Sequence, residues 1–168
     1  MDRHIFLIGM PACGKSALGR RVAQKLGLPY LDTDVYLTET TGMDTMQLLQ
    51  KYGNTAYRDA ETNLLMQLVN ATPGIISTGG GMCLREENQK IMKNHGVIVL
   101  IDRPVDEIMM NIREDKRPIL AQMGREGVEA AYNERMPIYR SLADAVMDNG
   151  TGMQSGLASL ESIVRFYL

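Results

Sequence analysis

Short apolar runs alternate along this chain with longer segments whose apolar residues recur at helical spacing. Five runs, Ile5–Ile8, Tyr30–Leu31, Ile75–Ile76, Val97–Ile101 and Ala145–Met147, are too short for helices and predict strands buried on both faces. Between them Leu18, Val22 and Leu26 recur every four residues, Leu64, Leu65, Leu68 and Val69 form a second stripe, and Ile108, Met109 and Ile112 a third. Pro104 stands where the third helix would begin, a position at which its missing N–H costs nothing. Leu157, Leu160, Ile163, Val164 and Tyr167 predict a helix that closes the fold. Strand and helix thus alternate from start to finish, the pattern of an α/β protein: a five-stranded parallel sheet with helices on both faces. Ligands of such sheets bind beyond the carboxyl ends of the strands, so chemistry is expected just after each apolar run. No repeat or linker breaks the pattern, and residues 1–168 read as a single domain. The least regular stretch, Glu114 to Gly127, carries Pro118, Gly124 and several charges and reads as a mobile flap.

Composition narrows the function classes. Hydrophobic residues make up 45% of the 168 and charged residues 23%, an ordinary globular balance that argues against disorder. The net charge is -2 and lysines and arginines are mixed with acids throughout, so no basic stripe marks a nucleic-acid binder. A small anionic substrate fits better. The longest early apolar run, Ile5 to Met10, is too short for a signal peptide or a membrane span, and the chain is expected in the cytoplasm, without a membrane partner. Cys13 and Cys83 form no C-x-x-C pair and are expected to be free thiols. His4 and His95 lack the companions of a zinc site. Among 13 methionines, Met66, Met92 and Met109 read as adaptable core filling. No charged tail advertises a protein partner, and a monomer is expected.

The strongest motif follows the first strand. Gly9-Met10-Pro11-Ala12-Cys13-Gly14-Lys15-Ser16 is an intact G-x-x-x-x-G-K-S. Its glycines let the backbone curl so that N–H groups converge on phosphate oxygens, and the helix behind adds its positive end. Lys15 would reach the β- and γ-phosphates of a nucleotide and the Ser16 hydroxyl would ligate magnesium. No guanine-reading N-K-x-D follows, which argues against a GTPase. Asp102, at the end of Val97–Ile101, admits two readings: a Walker B carboxylate, or a cap for the helix beyond Pro104.

Weaker signals lie after the second and third strands. Asp32 and Asp34 stand two apart, on one face of a strand end, either as a solvated turn or as a magnesium ligand beside an acceptor-facing carboxylate. Arg58 and Glu61, three apart on a helix, form either a surface ion pair or a guanidinium held ready for an anion. Gly79-Gly80-Gly81 is entropically costly, and close approach of backbone to a ligand would explain it.

Taken together, G-x-x-x-x-G-K-S, D-T-D, Y-R-x-x-E at Tyr57–Glu61, S-x-G-G-G, the R-P-I-L at Arg117 and the R-x-P-x-Y at Arg135 resemble shikimate kinases in order and rough spacing, from Ile5 to about Tyr139. The resemblance implies a three-layer P-loop kinase fold with sheet order 2-3-1-4-5 and a mobile lid at about 112–127. It also implies transfer of the ATP γ-phosphate to the 3-hydroxyl of shikimate, with Mg2+. By the same resemblance Gly9, Ala12, Cys13, Gly14, Lys15, Ser16 and Ala17 hold the nucleotide. Ser16 and Asp32 hold the metal, with Ser77 as a further water-mediated contact. Asp34 binds the shikimate hydroxyls and accepts the proton, Arg58, Arg135 and the backbone of Gly79, Gly80 and Gly81 bind the carboxylate side, and Arg117 swings in on the lid as a catalytic and nucleotide-binding group. Two departures leave the base contacts unassigned: Met110 replaces the usual arginine, and Asp148-Asn149-Gly150-Thr151-Gly152 replaces the usual adenine loop. Kinases of other small hydroxy acids such as gluconate, or a regulator that binds nucleotide without catalysis, are the competing readings.

Overall fold

The structure is a computed structural model that describes residues 2–112, 118–150 and 152–168. Five parallel strands, β1 (His4–Ile8), β2 (Tyr30–Asp32), β3 (Ile75–Ser77), β4 (Gly96–Asp102) and β5 (Ala145–Asp148), form one sheet in the order β2-β3-β1-β4-β5. Helices cover both faces, as the sequence pattern predicts: α1 (Lys15–Leu26), α2 (Thr33–Thr41), α3 (Thr45–Leu68), α4 (Glu86–His95), α5 (Val105–Met110), α6 (Pro118–Leu142) and α7 (Met153–Tyr167). All five residues of β1 are buried, so this central strand has no solvent face and its sequence shows no polar alternation. Ile5 pairs with Ile75 of β3 on one side and Val97 of β4 on the other.

A second, smaller apolar cluster lies apart from the sheet. Leu37 of α2 packs there with Leu48, Tyr57 and Leu64 of α3. It fixes the part of α3 that carries Arg58 and Glu61. α3 itself is two helices joined at Gly53, whose φ of 83° lies in the left-handed region where glycine is favoured. Its first turn is closed by a capping box, Asp44 accepting from Gln47 N at 2.8 Å while Gln47 accepts from Asp44 N at 2.9 Å.

Three expectations change. Asp34 is not on a strand: Asp32 ends β2 and caps α2, its Oδ1 accepting from the N–H groups of Asp34 and Val35 at 3.1 and 3.2 Å, so Asp34 sits in the first helical turn. From Pro118 onward the expected flap is helical, α6 bending at Gly124 (φ 64°), while residues 113–117 lie outside the described residues. Met66 is 51% exposed rather than core, whereas Met92 is fully buried. Among the described residues, no helix is long and apolar enough to cross a membrane. Both cysteines are buried and free, and burial pushes the Cys83 thiol up to about 12.

Candidate active site

The G-x-x-x-x-G-K-S loop runs from the end of β1 into α1, at the carboxyl edge of the sheet. Gly9 has φ 141°, and a Cβ there would lie 2.6 Å from the Ile101 carbonyl oxygen of β4. Gly14, at φ 107°, is the N-cap of α1. Ala12 (φ 63°) is the one non-glycine residue at positive φ among the described residues, a sparsely populated conformation that the loop imposes. Lys15 Nζ folds back to donate to Gly9 O at 2.8 Å and Met10 O at 2.9 Å, and lies 3.7 Å from Cys13 Sγ. Its ammonium is thereby held over the loop whose amides form the cradle. Ser16 Oγ donates to Asp32 Oδ2 at 2.5 Å, and Ala17 is exposed on the same first turn. One hydroxyl and one carboxylate are hard oxygen donors, and among the described residues no cluster of three metal-ligating side chains exists. That sparse set fits magnesium, which keeps waters and takes phosphate oxygens as its other ligands.

The three glycines after β3 explain how the rest of the site is assembled. Each makes room for a different neighbour. A Cβ on Gly79 would lie 2.5 Å from Asp34 Oδ1, and one on Gly80 would lie 2.9 Å from Pro11 Cδ in the phosphate loop. At Gly81 it would overlap the Arg58 guanidinium. None of the three has positive φ, so the requirement is close approach, and the groups approached are the protein's own site residues. Thr33 Oγ1 accepts from Gly79 N at 2.9 Å, pinning the start of α2 to this strip.

Arg58 Nη1 donates to Glu61 Oε2 at 2.5 Å; the side chains are 23% and 1% exposed. Burial raises the Glu61 pKa, opposed by the charge and hydrogen bond of Arg58. The pair is therefore no solvated surface contact. Glu61 orients a guanidinium that lies against Gly81. Tyr57 donates to Asp34 Oδ1 at 3.3 Å from its place in the small cluster. On the far side Tyr139 of α6, fully buried, donates to Gly80 O at 2.6 Å. Burial raises its pKa, so the phenol stays protonated, and the Arg135 guanidinium lies beside its hydroxyl. Asp34, Arg58, Arg135 and the glycine strip thus border one region next to the phosphate loop.

The family model for shikimate kinase matches residues 11–165. The chain belongs to the shikimate kinase family. Curated members agree along its length: shikimate kinase of Clostridium botulinum (strain Eklund 17B / Type B) is 33% identical over 98% of both chains. That of Clostridium beijerinckii is 37% identical over 89% of this chain and 87% of its own. Among solved structures, shikimate kinase from Acinetobacter baumannii in complex with shikimate superposes with a TM-score of 0.89 at 26% identity, covering 98% of this chain and 92% of that one. The Aquifex aeolicus enzyme gives 0.82 at 26% identity over 98% and 97%. Family membership makes the protein an ATP-dependent kinase with the P-loop kinase fold.

Of the residues in the shikimate kinase motifs, the structure brings the phosphate loop, Asp34, Arg58, Arg135 and the glycine strip side by side, and Arg117 lies outside the described residues. Asp102 fits neither of its two readings. Its carboxylate accepts from Tyr132 Oη and Arg140 Nη2, both at 3.0 Å, and ties β4 to α6, while Pro104 is the N-cap of α5. The Ser77 hydroxyl donates to Lys15 O at 3.2 Å and accepts from Tyr30 at 3.0 Å, bracing α1. Three contributors are not singled out by the sequence. Thr33 and Tyr139 lie inside motifs, D-T-D and R-x-P-x-Y, whose other members drew the attention. Asn149 lies in no motif at all.

Proposed function

We propose that this protein transfers the γ-phosphate of ATP to the 3-hydroxyl of shikimate, giving shikimate 3-phosphate on the route to chorismate and the aromatic amino acids. The observation that carries this reading is the glycine strip, which presses Asp34, Pro11 of the phosphate loop and Arg58 against one short backbone segment. An acceptor held there by its carboxylate would lie beside the phosphate cradle.

In this reading the amides from Gly9 to Ser16, with Ala12, Cys13, Gly14 and Ala17, hold the triphosphate, and Lys15 releases its loop carbonyls to bridge the terminal phosphates. Ser16 Oγ would hold magnesium directly and Asp32 through water, and the metal would supply positive charge to offset that of the phosphates. Arg58, oriented by Glu61, offers its planar fork to the shikimate carboxylate, as does Arg135, held near Gly80 through Tyr139. Asp34 accepts the proton from the attacking hydroxyl, and the Gly79, Gly80 and Gly81 backbone shapes the floor. Arg117 completes the positive charge at the γ-phosphate from a lid at about 112–127, whose closure excludes water as a competing acceptor. The protein acts in the cytoplasm as a monomer of one domain, without nucleic-acid or membrane partners.

A coupled ADP-release assay over a panel of hydroxy acids tests the assignment. Turnover with shikimate is expected to exceed that with quinate and gluconate by at least about 100-fold, since an acceptor that leaves a polar site group unpaired is rejected strongly. Equal turnover with gluconate would overturn it.

A further inference from the structure

We infer that Asn149, just beyond β5, is a positioning residue that keeps the phosphate cradle of this kinase in its binding conformation. The inference rests on the nucleotide reading above and adds a residue to it. Asn149 is 5% exposed, and its Nδ2 donates to Cys13 O at 2.7 Å. A trans peptide points its C=O and its N–H in opposite directions. Holding the Cys13 carbonyl outward therefore aims the Gly14 N–H inward, toward the space the phosphates occupy. The Cys13–Gly14 peptide needs such a hold. Gly14 has φ 107°, and glycine reaches the flipped arrangement without the steric barrier a side chain would raise.

Three further contacts fit the amide to this task. Asn149 N donates to Asp102 O at 2.7 Å, anchoring the backbone to β4. A Cβ on Gly14 would lie 2.6 Å from Asn149 Nδ2, and a Cβ on Gly156 of α7 would lie 2.5 Å from Asn149 Oδ1. The amide is clamped between two glycines, one in the loop it serves and one in the helix behind. Gly156 has no positive φ, so the space taken by Asn149 and by Leu18, 3.3 Å away, accounts for a residue without a side chain there.

The test uses the full chain, with ADP and magnesium as the probe in titration calorimetry and steady-state kinetics for both substrates. Asn149→Asp replaces the donor by an oxygen facing the Cys13 carbonyl, and should raise the ADP dissociation constant about tenfold while the shikimate KM stays within twofold. Gly156→Ala, which leaves both the cradle and Asn149 chemically intact but crowds the amide from behind, should act in the same direction. Combining Gly156→Ala with Asn149→Ala should add less than the sum of the two, because both act through one side chain. A folded Asn149→Asp protein that binds ADP like the wild type overturns the inference. So does an equal loss toward ADP and shikimate, which would mark general damage. If Asn149→Asp shows no cooperative unfolding transition, Gly156→Ala decides, and an unchanged ADP affinity there overturns the inference. Wild-type protein that binds no ADP would instead sink the nucleotide reading itself, and this inference with it.

Discussion

Asp34 and Arg58 face the same glycine strip, and in the proposed reaction they do different work, so their substitutions should separate cleanly. Asp34 touches Tyr57 and the Gly79 edge, while Lys15 of the phosphate loop is held by the Gly9 and Met10 carbonyls. Asp34→Asn is expected to lower kcat by at least about 100-fold, the usual scale for a proton acceptor, with ATP affinity within a few-fold. A full-rate asparagine variant would remove Asp34 from the mechanism. Arg58→Ala strips the cation from a carboxylate that is 1% exposed, so the loss should appear in the shikimate KM, by about 30-fold or more. Gly81→Ala reaches the same guanidinium from the other side and should shift KM the same way, with kcat little changed. An unchanged KM in both would put the carboxylate clamp elsewhere. That these two residues stand at the site was legible in sequence because the motifs name residue types, while their proposed roles come from the family resemblance. The reason for the three glycines was only half legible: spacing shows that something comes close, and only the fold shows that each glycine yields to a different protein group.

At the scale of elements, the reading failed where local pattern and capping compete. Asp32-Thr33-Asp34 looks like a strand end because it follows Tyr30-Leu31, yet the Asp32 carboxylate captures two amides and turns the chain into α2 one residue later. Pro118 and Gly124 suggest an irregular flap, but proline is welcome in a first helical turn and glycine permits the bend in α6. That helix matters to the site through Tyr139, whose hydroxyl joins α6 to the strip after β3 while Arg135 lies one turn earlier on the same face. Tyr139→Phe deletes only this hydroxyl and leaves a buried carbonyl without its donor, which costs about 1–3 kcal/mol. Part of that cost should surface as a shikimate KM raised about tenfold, with the ATP KM unchanged. Kinetics of the folded variant showing parallel changes in both constants would mean that Tyr139 supports α6 packing alone.

The sheet order organises the whole molecule around its active edge. Strands β2, β3 and β1 are neighbours in that sequence, so D-T-D, the glycine strip and the phosphate loop emerge side by side. The alternating pattern makes the parallel sheet legible and the family resemblance implies its order, whereas Asn149 reaches the loop from β5, across β4, by a path no spacing rule reveals. The opposite edge carries stability instead of chemistry. His4 begins β1 there, 4% exposed, its Nδ1 accepting from Gly74 N at 3.3 Å and its ring tilted against Phe6. Burial lowers its pKa below the ordinary 6.5, with nearby His95 adding to the effect and backbone hydrogen bonds opposing it. The unfolded chain therefore binds the proton first as pH falls. The stability that neutral His4 contributes is complete above about pH 6.5 and is lost progressively as pH drops below it. Thermal unfolding followed from pH 7.5 to 5.5 should show a steeper fall in Tm for the wild type than for His4→Gln, which cannot take up that proton. Because His4 lies at the far end of β1 from the phosphate loop, both proteins should share kcat and both KM values at pH 7.5. Equal pH slopes would assign the acid lability to other groups.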